Sequence, residues 1–261
     1  MNADLKKHVL ELLGKDTRLD GRKALDFRKP VEVKVGISKN AEGSCQVTMG
    51  ETVVMAGIKL AVEKPYPDSP DAGCLMVNAE LLPMSNPEFE SGPPGIQAIE
   101  LARLVDRGIR ESKIIDMKKL AIIPGEKVWS VMIDVLPIND AGNLFDTAAL
   151  AALVALKSAV FPKLEEGEVV NYKEKTTKKL PLDLKKDTLS VTVWKIGKHF
   201  IVDPITDEEK VMEARVTVAT LADGNLCALQ KGGDTPLTTD EVMKMIDIGI
   251  EKTKELRKYL K

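Results

Sequence analysis

INDAGNLFDTAALAALVALKSAV, residues Ile138 to Val160, decides the architecture. From Phe145 onward this stretch is rich in Ala and Leu on nearly every side, whereas a helix lying on a protein surface keeps one polar face. The helix it predicts, Phe145 to Val160, is therefore packed on both sides, with structure above it and below it. Upstream, Lys119 to Ile123 and Val128 to Val135 read as strands leading into it. Further back, Val31, Val33, Val35 and Ile37 alternate with polar residues, the period-two mark of a half-buried strand. Cys45 to Met49, Val53 to Val62 and Cys74 to Leu82 extend that sheet. Asn2 to Leu13 spaces Leu5, Val9, Leu12 and Leu13 on one helical face, and RLDGR, Arg18 to Arg22, holds the Asp-Gly pair of a tight turn.

Downstream, Pro162 to Lys186 is polar and lysine-rich, without apolar periodicity over most of its length, and reads as a solvated connection. Beyond it come strands at Leu189 to Ile196, His199 to Asp203, Ala214 to Leu221 and Leu226 to Lys231. A long closing helix follows, with Thr238 and Glu241 spaced as a capping box and Val242, Met245, Ile246 and Ile250 as its apolar stripe. Strands grouped before helices, in two successive halves, indicate an α+β fold. The expected division is an N-terminal helix and turn over 1–30, a first domain over 31–165, a connection over 166–187 and a second domain over 188–261.

The chain has 261 residues, 44% hydrophobic and 30% charged, the composition of an ordinary globular protein. With 38 Lys and Arg against 40 Asp and Glu, the formal net charge of -2 supplies no general attraction to nucleic acid. Any such contact has to come from a local basic cluster. Three scattered cysteines, Cys45, Cys74 and Cys227, fit buried thiols in a reducing cytoplasm better than a disulfide framework. No run approaches the roughly 20 apolar residues of a membrane span, so a cytoplasmic protein without membrane partners is expected.

Neither GxGxxG nor GxxxxGK[ST] occurs, and two histidines without CxxC or HExxH assemble no usual zinc motif. His199, inside a strand, reads as structural. Asp203, Asp207, Glu208 and Glu209 form the one acidic cluster with oxygen ligands for a hard ion such as Mg²⁺, Asp203 and Glu209 being its candidates. A turn closing the strand before Pro204 explains the same residues. No cofactor is expected.

The clearest binding candidate lies on a helix from about Gln97 to Ser112, entered through the loop PEFESGPPGIQ. In IELARLVDRGIRES, Arg103, Arg107 and Arg110 recur at intervals of four and three and so project from one side, while Leu101 and Val105 face the core. Guanidinium groups grip phosphate oxygens in pairs and stay charged in any environment, which suits a phosphodiester backbone. Surface ion pairs explain the stripe as well, since Glu100 precedes Arg103 by three residues and Asp106 precedes Arg110 by four. Such pairs contribute only about 0.3 to 0.5 kcal/mol each and do not forbid a second role.

Together RLDGR, VVMAGIKL, the GPPG loop, IELARLVDRGIRES, VWSVMIDVLPINDAGNLFDTAALAAL and the final VDP…ARVTVATL resemble the non-catalytic RNase PH-type subunits of the archaeal exosome. The likeness is collinear from Arg18 to the last helix. It implies the RNase PH fold, in two βαβ-containing halves: an N-terminal half like domain 2 of ribosomal protein S5 and a smaller C-terminal α/β half. It also implies a ring of three heterodimers in which such a subunit alternates with a catalytic paralogue. That paralogue degrades single-stranded RNA from the 3′ end by phosphorolysis, under a cap of S1/KH or S1/zinc-ribbon subunits.

The resemblance also marks departures. Catalytic members place Gly-Ser/Thr-Arg at a helix N-terminus to hold phosphate; the matching residues here are Gly142, Asn143 and Leu144. An aliphatic side chain replaces a charge-assisted hydrogen bond worth about 1.5 to 3 kcal/mol, so this phosphate site is expected to be vacated. Where catalytic paralogues carry an Arg-Arg pair, this chain has Ile96-Gln97, and a catalytic Asp pair six residues apart matches Asp203 and Glu209. In the non-catalytic members, positions matching Arg103 and Arg107 contribute to RNA binding; Arg110 is a further candidate or the intrahelical partner of Asp106. The expected function is a structural and RNA-binding subunit, inactive alone. The alternatives are an exoribonuclease in its own right, phosphorolytic or metal-dependent, and a small-molecule α+β enzyme unrelated to RNA.

Overall fold

The computed structural model describes residues 3–165 and 170–260. The all-round apolar stretch forms helix α3, Leu144–Ser158, with Ala148 and every residue from Leu150 to Leu156 buried. One of its sides lies on a six-stranded sheet and another on a four-stranded sheet, which is why it lacks a polar face.

The first sheet runs β1-β2-β3-β6-β4, from β1 (Val31–Val35), β2 (Gly43–Met49), β3 (Thr52–Glu63), β4 (Cys74–Ala79) and β6 (Lys127–Asn139). A short strand β5, Ala121–Ile123, pairs with the start of β6. All neighbours are antiparallel except β4 and β6. Between those two the chain crosses over through α2, Ile96–Ser112, completing a βαβ unit. The strand expected over Lys119 to Ile123 is in its first part a 3-10 turn, Met117–Leu120, where Leu120 alone turns inward.

The second sheet runs β10-β9-β11-β12 and is antiparallel throughout, with β9 (Leu189–Ile196), β10 (His199–Val202), β11 (Ala214–Thr220) and β12 (Leu226–Gly232). Strands β10 and β11 point the same way on either side of β9 and are joined through a single helical turn, α4, Thr206–Glu209. Central strand β11 is buried along its whole length, and β9 nearly so, because α3 covers one face and α5, Thr239–Leu256, the other. The predicted capping box is present: Thr238 Oγ1 accepts from the Glu241 amide at 3.3 Å and Glu241 Oε2 from the Thr238 amide at 2.9 Å. N-terminal helix α1, Ala3–Leu13, packs Val9 and Leu13 against Trp194, Ile196 and Ile201 of the second sheet and against Val211, which precedes β11.

The lysine-rich segment read as a connection forms a hairpin of β7, Val160–Leu164, and β8, Val170–Lys179. Residues 166–169, which open the connection expected over 166–187, lie outside the described residues. Apolar alternation marks a strand only where one face is buried, and most of β8 is exposed on both. Its hold on the body is polar and aromatic. Thr176 Oγ1 donates to the Phe161 carbonyl at 2.8 Å, Lys175 Nζ donates to the Ala41 carbonyl, and Lys59 Nζ lies 4.6 Å from the Tyr172 ring centroid.

Candidate functional site

The turn entering α3 carries two consecutive left-handed residues, Gly142 at φ 98° and Asn143 at φ 55°. Only glycine fits the first, because a Cβ there would stand 2.4 Å from the Pro204 carbonyl oxygen. The second suits asparagine, which tolerates this conformation better than most residues. Asn143 is the N-cap of α3, and its side chain makes no capping bond; it donates instead to Asp203 Oδ1 at 2.9 Å.

Asp203 is fully buried and held by arginine. Arg28 donates from Nε to Oδ2 at 3.0 Å, from Nη2 to Oδ1 at 2.7 Å and from its amide to Oδ2 at 2.6 Å. Arg22 adds a donor to Oδ2 at 3.1 Å. The rest of the Arg28 guanidinium is spent on the Ala141 and Gly142 carbonyls, at 2.6 and 2.9 Å. Next to this pair Arg18 and Glu208 form a second ion pair with both side chains wholly buried. The acidic run after β10 is thus split. Asp203 and Glu208 anchor the N-terminal RLDGR turn across more than 180 residues of sequence, while Asp207 faces solvent. With two arginines and an asparagine on its oxygens, Asp203 presents no open side to a cation, and no metal-ligand cluster occurs among the described residues.

Glu209 turns the other way. Its Oε1 accepts from the Asn143 backbone N–H at 2.8 Å. This is the anion-binding position of a helix N-terminus, where unpaired N–H groups and the helix dipole favour negative charge. A carboxylate of the chain itself therefore stands at the N-terminus of α3. Burial raises the Glu209 pKa to about 7; the Asn143 N–H opposes the rise, nearby Asp140 adds to it, and Arg28 and Arg215 pull against it. Deeper in α3, Asp146 is raised to about 8 by burial, although its Oδ1 accepts from the Thr192 amide at 2.8 Å.

Leu144 borders a cavity of about 240 Å³ together with Leu81, Phe89, Phe145, Trp194 and Met212. The cations beside it are committed. Arg28 is spent as described, and Arg215 pairs with Glu100 while its guanidinium lies 4.5 Å from the Phe145 ring centroid and 5.5 Å from that of Trp194.

The arginine stripe divides. Arg110 donates to both Asp106 oxygens, at 2.6 and 3.0 Å, and to the Leu75 carbonyl at 3.0 Å, so it is the intrahelical partner of Asp106. The pair between Glu100 and Arg103 that spacing allows does not form, because Arg215 reaches Glu100 from β11. Arg103 and Arg107 are exposed, and neither makes a hydrogen bond or ion pair among the described residues. Ile96 and Gln97, at the start of α2, are likewise exposed.

Sequence reasoning did not find Arg18, Arg22 and Arg28, which neutralise the acidic cluster, or Arg215, which takes Glu100. Their only local signal was the RLDGR turn and an arginine shortly before the first strand. Among the described residues no helix is long and apolar enough to cross a membrane.

Comparison with known proteins identifies the family. The 3′ exoribonuclease family, domain 1, matches residues 28–162, and domain 2 of that family matches residues 188–252. Exosome complex component Rrp42 of Methanothermobacter thermautotrophicus is 42% identical over 98% of this chain and 93% of its own length. That of Thermococcus gammatolerans is 44% identical over 100% of this chain and 95% of its own. A chain from a structure described as the Archaeoglobus fulgidus exosome with RNA bound to the active site superposes with a TM-score of 0.90 at 40% identity, covering 99% of this chain and 98% of that one. With both domains matched in order and full-length relatives at this identity, the chain belongs to the RNase PH-type 3′ exoribonuclease family, alongside the archaeal exosome components named Rrp42.

Proposed function

We propose that this chain is a structural and RNA-binding subunit of an archaeal exosome ring, silent on its own, serving 3′-to-5′ phosphorolytic degradation by a catalytic paralogue in the cytoplasm. One observation carries the reading: at the helix N-terminus that would grip the attacking phosphate stands Leu144 in place of a guanidinium, and the nearby Arg28 and Arg215 are spent on carboxylates of the chain. Phosphorolysis needs a second anion held beside the RNA phosphodiester. Gly142, Asn143 and Leu144 offer it no side-chain cation, and among the described residues no uncommitted guanidinium borders the cavity. Arg103 and Arg107, exposed and free of acidic partners, are the RNA contacts, and Arg110 is not among them. Phosphate contacts of this kind position RNA without reading its sequence. The partners are the paralogue in a ring of three heterodimers, S1/KH or S1/zinc-ribbon cap subunits, and single-stranded RNA.

The test is direct. The isolated chain, incubated with single-stranded RNA and inorganic phosphate, releases no nucleoside diphosphates, and release begins when the catalytic paralogue is added. Steady release by the chain alone, insensitive to Leu144→Ala, would make it an exoribonuclease in its own right.

A further inference from the structure

A cavity opens beside the N-terminus of α3. This cavity of about 240 Å³ is walled by Leu81, Phe89, Leu101, Leu144, Phe145, Trp194 and Met212, below the roughly 300 to 1,000 Å³ of pockets for drug-sized ligands and of a size for a single ring. Its polar groups are unequally engaged. Asp140 accepts from the Gly142 amide and the Asn86 side chain, both at 2.9 Å, and Glu100 is taken by Arg215. Glu209 gives one oxygen to the Asn143 N–H and has no hydrogen-bond partner for the other among the described residues. The charged side chains lining the cavity are three acids, Glu100, Asp140 and Glu209, and one arginine already spent on Glu100. Apolar and aromatic walls around a carboxylate with a free oxygen favour a ligand that is flat, apolar over most of its surface and positively charged at one edge.

We propose that this cavity is a binding site for a small aromatic cation, one ring bearing an amidine, guanidine or amine whose N–H groups donate to Glu209. The inference goes beyond the role in RNA degradation and does not depend on it. An anion is repelled by the three acids lining the cavity, and a neutral ring gains the walls without the carboxylate. Binding also follows pH. Asp140 from the end of β6, Arg28 from the segment before β1 and Arg215 from β11 surround Glu209 with opposing charges, and its pKa of about 7 leaves it partly protonated at neutral pH. A cation binds the ionised form better, so affinity rises from pH 6 to pH 8.

The experiment uses the full-length chain and benzamidine. The chain has two tryptophans, so Trp129→Phe leaves Trp194, in the cavity wall, as the sole indole reporter, and calorimetry on the unsubstituted chain provides a second reading. Expected is a saturable change in Trp194 emission, with benzamidine bound at least tenfold more tightly than benzyl alcohol or benzoate and more tightly at pH 8 than at pH 6. Glu209→Gln weakens it at least tenfold, and Leu144→Phe, which fills the cavity, removes it while the chain stays folded by circular dichroism. The proposal is overturned if benzamidine gives no saturable signal by either method, if benzoate binds as well, or if folded Glu209→Gln binds benzamidine as tightly as the parent.

Discussion

Replacing Arg103 and Arg107 together by alanine should flatten the salt dependence of RNA binding by the assembled ring. Both guanidiniums are exposed and neither is neutralised by a neighbouring acid, so each is free to displace a counterion from a phosphate. For single-stranded RNA every lost phosphate contact lowers the slope of log K against log salt by about 0.7, so two contacts lower it by about 1.4. Raising salt fourfold, from about 50 to about 200 mM, then shrinks the deficit of the double variant about sevenfold, since four to the power 1.4 is about seven. The assay is a fluorescence-anisotropy titration of labelled single-stranded RNA at several salt concentrations, with turnover prevented by omitting phosphate. Arg110→Ala is the internal control: its side chain is held by Asp106 and the Leu75 carbonyl, so the slope stays at the parental value. A double variant with the parental slope, or an Arg110→Ala slope that falls as far, would remove this face of α2 from the RNA path.

Three further outcomes follow from the acidic cluster. Asp203→Asn keeps the shape and tolerates the left-handed backbone at φ 50°, but leaves Arg28 and Arg22 without their buried counter-charge. The loss should be about 3 to 5 kcal/mol, read as a lowered denaturant midpoint at unchanged m-value. Glu209 has its folded pKa raised to about 7, so between the unfolded carboxylate range and that value the folded chain holds the extra proton. Its contribution to stability therefore declines as pH rises through this window, and Glu209→Gln should gain stability relative to the parent between pH 5 and pH 8 in parallel melts. Leu144→Arg alone should not give phosphate binding by calorimetry, because the new arginine would pair with Glu209; adding Glu209→Gln removes that counter-charge and should give measurable binding.

Much of the fold was legible because its signals are local. The all-round apolar run Phe145 to Val160 reported a helix between two layers, alternation reported β1, and the Thr238 and Glu241 spacing reported the start of α5. The β7–β8 hairpin was not legible, since a strand with no buried face carries no alternation. The site was legible in part. Spacing placed Arg103, Arg107 and Arg110 on one face, but whether each had a partner depended on Arg215, more than 100 residues away, and on the Leu75 carbonyl.

The amino-acid sequence by itself determined the two-half α+β architecture, the absence of a guanidinium at position 144 and the common side of the arginines, because periodicity and residue chemistry act within a few turns of chain. Only the tertiary structure decided that Asp203 is an arginine-bound anchor, that Glu209 accepts from the amide at the start of α3, and that Arg103 and Arg107, alone among the stripe, have no partner among the described residues. Charges find their partners through space after the chain has folded, and a carboxylate 66 residues from the amide it binds leaves no trace of that bond in the intervening sequence.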